Sequence, residues 1–357
     1  MKKSVLTLAA LAISAMAANA AAPSAADLAK YNIRIDFIGD SINYPTTGKT
    51  TVTYATEGNT GTINIAEPSG LVNLKANVDW TAGTLTMAPQ MCGMDEDTYD
   101  YLMIVPAADK AKNPTEIYSS KMGGTAGEAG ITFGPWNLIR TGTDFSTNKG
   151  TVYANDINTR IVKANATVKL GRLTDDNDDY TYAKGEELEM PAFAEQNGNR
   201  LTVYNFDEMG ACLVLDLNGT TCTAKGNEVV YRRNARQTYT AVALDPSIIG
   251  SESVVRANNP DVAGTIEGKK VIKLGYFGLL RTTGTADRGL YYSATITLDN
   301  ELNITSTGID SNVAGKQVAS EVYYNLAGMA SAQPFSGVNV KVTTYTDGSK
   351  KAEKVVR

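Results

Sequence analysis

The side chains with most chemistry to offer in this 357-residue chain are 38 carboxylates, two tryptophans and three cysteines, because histidine is absent. Without imidazole there is no Ser-His-Asp or Cys-His pair, no His-ligated zinc or haem and no His general base. Carboxylate-pair hydrolysis survives that filter, but no acidic residue is singled out by its setting and no catalytic residue is assigned. Five residues are candidates for ligand binding. Trp80, Trp136 and Phe277 carry rings able to stack on a sugar, and Arg140 and Arg281 carry donor forks able to grip a carboxylate or loop carbonyls. A structural role is the competing reading for each, and for Trp136 and the two arginines it is the favoured one.

A metal reading attaches to TDDNDDYTYAKGEE at 174–187. Asp175, Asn177 and Asp179 fall at positions 1, 3 and 5 of a calcium loop and Glu186 at position 12, but Tyr180 replaces the glycine of position 6. A solvated acidic turn is the favoured reading. No cofactor is expected, and calcium here is the one exception left open. PTTGKT at 45–50 lacks both the first glycine of a phosphate loop and a following helix, so it is rejected as a nucleotide site. GGTAGEAG at 123–130 reads as a flexible loop, and Cys92 falls in the loop-like segment 90–100.

Positioning of these residues falls to β-strands. TVTYAT at 51–56, TINIAE at 62–67, TLTMAP at 84–89 and YSATITL at 292–298 alternate apolar and polar residues with the period of a strand buried on one face. Only Ser24 to Tyr31 has helical character. Asn218-Gly219 predicts a two-residue hairpin turn that sets Leu217 against Thr220, Leu215 against Cys222 and Leu213 against Ala224. Cys212 then lies on the face opposite Cys222, and no structural disulfide is expected.

Four blocks recur in order. VDWTAGTLTMAPQ (78–90), YLMIVP (101–106), ITFGPWNLIRT (131–141) and GTVYANDI (150–157) return as LDLNGTTCTAKGN (215–227), YTAVALDP (239–246), IKLGYFGLLRT (272–282) and GLYYSATI (289–296). Trp136 then corresponds to Phe277, and Arg140 to Arg281. The expected fold is all-β, with two tandem related β-sandwich or β-barrel domains at 31–166 and 167–304. A polar linker (306–317) and a small C-terminal β module follow within 305–357, and a short segment at 21–30 precedes the domains.

Residues 1–20 have the form of a secretory signal peptide: Lys2 and Lys3, an apolar run, and Ala18-Asn19-Ala20 as a cleavage site. Its removal turns the formal charge of −5 into −7, which disfavours nucleic acid as a partner. No transmembrane span is expected in the mature chain. Residues 321–357 contain Val322-Tyr323-Tyr324-Asn325-Leu326-Ala327-Gly328, Gly337, Asp347-Gly348-Ser349-Lys350 and the ending Lys354-Val355-Val356-Arg357. On those features the tail resembles a shortened type IX secretion system C-terminal sorting domain. The resemblance implies export machinery as a partner and a cell-surface or extracellular location, with the periplasm as the alternative if the tail is only structural. The expected function is non-catalytic adhesion or ligand binding by a secreted or surface protein, with a glycan or another surface protein as partner. The alternatives are a carboxylate-dependent glycoside hydrolase and a structural surface-layer component.

Overall fold

The computed structural model describes residues 22–38, 45–57, 60–66, 73–94, 99–107, 121–141, 148–175, 181–207, 209–234, 237–252, 259–283, 287–304, 318–325, 328–346 and 350–356. The expected signal peptide and the 306–317 linker lie outside them. The chain is all-β. The one α-helix among the described residues, α1 (Ala25–Leu28), is started by Ser24, whose hydroxyl accepts the Asp27 amide, and is anchored by buried Leu28. No helix among the described residues is long and apolar enough to cross a membrane.

The first sheet contains β1 (Tyr31–Ile38), β2 (Pro45–Lys49), β3 (Thr51–Glu57), β4 (Thr60–Ala66), β5 (Asn73–Asp79), β6 (Thr84–Met87), β7 (Gln90–Met94), β8 (Tyr101–Pro106), β9 (Met122–Gly127), β10 (Gly130–Thr141) and β11 (Asn148–Lys163). Its strands run in the order β2-β1-β11-β10-β9-β6-β5-β4-β3. The two ends of that path meet at Thr50, whose amide donates to the Asn32 carbonyl, so β2 and β3 act as one interrupted strand that brings the sheet round into a barrel. Period-two alternation fills it: Leu74, Ala76 and Val78 of β5 and Leu85 and Met87 of β6 point inward, while Lys75, Asn77, Thr84 and Thr86 point out.

The second sheet contains β12 (Ala166–Thr174), β13 (Ala183–Asn197), β14 (Arg200–Tyr204), β15 (Cys212–Asn218), β16 (Thr221–Ala224), β17 (Val229–Asn234), β18 (Gln237–Ala243), β19 (Val262–Glu267), β20 (Val271–Leu274), β21 (Phe277–Arg281) and β22 (Asp287–Leu298). Pairing of β12 with β22 closes it into a barrel. The same order of pairings runs through both sheets. The long strand β13 bonds to β12 with its first half and to β14 with its second, as β2 and β3 do with β1 and β4. Strands β20 and β21 together take the place of β10 beside β22, and β17 and β18 form the side flap that β7 and β8 form on β10.

The outer face of β1 and β11 in barrel 1 packs on the outer face of β13, β14 and β15 in barrel 2. Ile33, Ile35 and Val162 from one side meet Tyr204 and Cys212 from the other in one buried cluster, with Phe37 and Phe193 against it. Phe193 stacks on Tyr204 at 5.9 Å, and Tyr204 receives Phe37 edge-on at 6.5 Å. Burial pushes the Tyr204 phenol up. At the rim Arg160 forks onto Glu195 and the Asn205 amide donates to Thr47 Oγ1.

The third sheet has the order β24-β23-β25-β26, from β23 (Val318–Asn325), β24 (Ala330–Ser331), β25 (Val338–Tyr345) and β26 (Lys350–Val356). Asn339 on one face is buried, its amide bonding to the Phe335 and Gly337 carbonyls and its oxygen receiving the Phe335 amide. The opposite face carries Val322, Tyr324, Val340 and Val356, with Val340 43% and Val356 68% exposed.

Three local expectations are corrected. The 218–219 hairpin pairs Leu217 with Cys222 and Asn218 with Thr221, so Gly219 (φ +59°) and Thr220 make the turn. Because Gly219 alone takes the positive φ, it sits first in the turn and the register moves by two residues, which keeps Leu213, Leu215, Leu217, Cys222 and Ala224 on the core side but carries Thr220, expected there with them, into the exposed turn. GGTAGEAG is not a loop: its first part forms β9, where a Cβ on Gly124 would lie 2.1 Å from the Thr132 carbonyl oxygen, so glycine is demanded by close strand approach. Cys92 lies in strand β7, buried, with its thiol on the Leu102 carbonyl, and the three cysteines are all buried and none forms a disulfide.

Candidate functional site

The ring candidates are core residues. Trp136 is 3% exposed; its indole N–H donates to Thr159 Oγ1 at 2.9 Å, and Thr159 donates to Asp36 at 2.5 Å. Asp36 is paired in turn with buried Arg34, whose guanidinium stands 5.9 Å from the Trp136 ring centre. Barrel 2 replaces this buried polar group with Val168 and Leu170 on β12, Ala294 on β22 and Phe277 on β21, an apolar set. Phe277 is 0% exposed and stacks on Tyr291 at 4.9 Å. Trp80 is 4% exposed, with Tyr54 against it edge to face at 5.7 Å. None of the three offers a ring face to a sugar.

The arginines sit at matching places, Arg140 opposite Leu102 on β8 and Arg281 opposite Tyr239 on β18. Arg140 lies 3.4 Å from the buried carboxylate of Asp100, which ties β10 to the start of β8. Of the calcium residues, Asp175 and Glu186 are exposed, and Asn177 and Asp179 lie outside the described residues. Among the described residues no group of three or more acidic, cysteine or histidine side chains converges as a metal site.

What the structure does bring together is a groove on the outer face of barrel 1, of about 610 Å³, across β3, β4, β5 and β6. Two register rows line it. Ala55 stands opposite Thr62, Thr62 opposite Asn77 and Asn77 opposite Thr86; beside them Thr60 faces Asp79 and Asp79 faces Thr84. Every one of these side chains is short, and all but Ala55 are polar. Asp79 Oδ1 accepts the Ala82 amide at 3.0 Å, which braces the β5–β6 turn. Gly61 lies between Thr60 and Thr62 on the inward side, where a Cβ would fall 2.2 Å from the Tyr54 ring, so the β4 backbone is held close over that ring.

The place of this groove in the fold is informative. In barrel 2 the matching strands β13, β14 and β15 carry the face that receives barrel 1, with Phe193 opposite Tyr204 and Tyr204 opposite Cys212. Aligned on the β3–β4 and β13–β14 turns, that apolar row becomes Thr53, Asn64 and Lys75 in barrel 1, all exposed. The opposite docking face changes in the same way. Where β1 and β11 present Ile33 with Val162, β12 and β22 present Thr167 with Thr297. The two faces used inside the chain are apolar, and the two equivalent faces left free are polar.

The period-two reading of 62–67 and 84–89 already set Thr62, Thr84 and Thr86 on an outer face. It gave no sign that β4, β5 and β6 lie side by side in the register that aligns them. No protein-family model matches the chain, and comparison with curated proteins returns no match.

Proposed function

We propose that this is a non-catalytic, exported or cell-surface binding protein that holds a polar ligand, a glycan above all, in the barrel 1 groove. The observation that carries the reading is the paired change of faces. The surface matching the one that accepts a barrel in barrel 2 is polar in barrel 1 (Thr53, Asn64, Lys75), and beside it on the same strands lies the groove, lined by hydroxyl, amide and carboxylate groups suited to a hydrogen-bonding ligand. A glycoside hydrolase needs two carboxyl groups about 5–10 Å apart across its cleft, whereas Asp79 is the one carboxylate among the described groove residues. A surface layer built by repeating the barrel-to-barrel contact would need apolar free faces, and these are polar. The tail, on its resemblance to a sorting domain, serves export.

The test is a glycan-array screen of the mature protein, run beside an assay for sugar released from mixed polysaccharides. Binding without release supports the reading, release without stable binding favours the hydrolase, and the absence of both binding and release would overturn both readings. For export, deletion of residues 306–357 is expected to keep the protein inside the cell, and normal secretion of the truncated chain would remove the sorting role.

A further inference from the structure

We infer that the barrel 1 groove selects an uncharged polyhydroxylated chain, held across the strands by hydrogen bonds without an aromatic platform. The inference rests on the binding reading above and names its ligand class. Neighbouring strands lie about 4.8 Å apart and alternate residues on one strand about 6.8 Å apart, so Thr62, Asn77 and Thr86 with Thr60, Asp79 and Thr84 form a two-row lattice of polar groups. Thr hydroxyls and the Asn amide both donate and accept, and sugar hydroxyls do the same, so such a ligand meets the lattice without leaving a group unpaired.

Charge decides between ligand classes. Along the outer face of β5, Lys75, Asn77 and Asp79 occur at alternate positions, one cation and one anion with a neutral amide between them. The charge in the groove's own lining is Asp79, which repels a polyanion, and Lys75 stands just past that lining on the same face, where it offsets the attraction of a polycation to Asp79. Thr, Asn and Asp lose little rotamer freedom when a ligand orders them, unlike the long side chains common in charged sites. The Asp79 brace on Ala82 and the Tyr54 ring packed under Gly61 hold the two central strands before any ligand arrives. Its apolar lining is limited to Ala55, Gly61, the buried Val78 and the threonine methyls, far short of the few hundred Å² that mark an apolar docking patch.

The experiment compares binding of the mature protein to neutral glucans, mannan and xylan, to polygalacturonate and chondroitin sulfate, and to chitosan, at 0.05 and 0.5 M NaCl. The expected result is binding to a neutral polymer that changes less than twofold with salt. Thr62→Arg and Thr86→Arg are each expected to weaken it at least tenfold with the melting temperature unchanged, while Thr295→Arg on barrel 2 leaves it intact. Binding confined to the acidic polymers or to chitosan would overturn the neutral-chain inference and leave the binding function standing. Binding that survives both groove substitutions would move the site elsewhere. No binding to any polymer would overturn the inference and the proposed function together.

Discussion

Single residues in this chain divide sharply between core duty and surface duty, and the division follows burial. Asp207 is fully buried and is held by Arg288, whose Nε lies 2.8 Å from Oδ2, while the other carboxylate oxygen accepts the Met209 and Ala211 amides. The Arg288 guanidinium also stacks over the Tyr231 ring at 3.4 Å. Replacing Arg288 with Met would strand a buried charge, a loss of about 3–5 kcal/mol; a denaturant midpoint close to that of the parent would refute it. The thiols give a second prediction. Burial pushes Cys92 up to about 12 and Cys222 up to about 11, above the ordinary thiol range. Since the native state keeps these protons after the unfolded chain has lost them, stability should fall as pH rises through about 8.5–9 and on toward those values. Cys92→Val should flatten that slope in urea titrations between pH 8 and 11. At pH 8 a thiol reagent should label the native protein slowly and the unfolded protein at once.

At the scale of elements, the strands were legible because their alternation is strict. Leu213, Leu215, Leu217, Thr220, Cys222 and Ala224 were expected on the core side; all but Thr220, which is exposed in the turn, are buried there. What a period of two cannot supply is register, and the Asn218-Gly219 turn shows why. The hairpin shifted by two residues to let Gly219 take the positive φ, a choice invisible to a pattern that repeats every two. Glycine-rich β9 was misread as a loop because small residues signal flexibility in a sequence, whereas here they signal that two backbones touch. Gly124→Ala places its new methyl against the Thr132 carbonyl oxygen, a backbone atom that cannot rotate away. It should cost about 1–3 kcal/mol, read as a lower melting temperature, and Gly123→Ala on the same strand, with open space around its Cβ, serves as the control. If the two variants melt together, the close approach is not what fixes glycine at 124.

At the scale of the whole molecule, two barrels of one plan are joined by an apolar contact that neither free face repeats. Ile35 is completely buried at that contact. Ile35→Asp should separate the unfolding of the barrels into two calorimetric transitions and open the chain to proteolysis near residues 164–165, between β11 and β12. A single transition that merely moves to lower temperature would mean the barrels do not unfold as partners through this face. Tyr204→Ala tests the same contact from barrel 2.

The sequence by itself determined the all-β class, the helical turn after Ser24 and the faces of the strands whose alternation it displays, at 51–56, 62–67, 84–89, 213–217 and 292–298, because local alternation and turn chemistry encode them directly. The same locality limited what it said of function. Trp80, Trp136 and Phe277 stood out by residue type, yet a ring's type does not reveal which side of a sheet it faces or what covers it; the tertiary structure put all three inside. Thr62, Asn77, Asp79 and Thr86 drew no notice one by one. They became a groove only when β4, β5 and β6 came into register, and pairing between strands depends on long-range hydrogen bonds that no local pattern records.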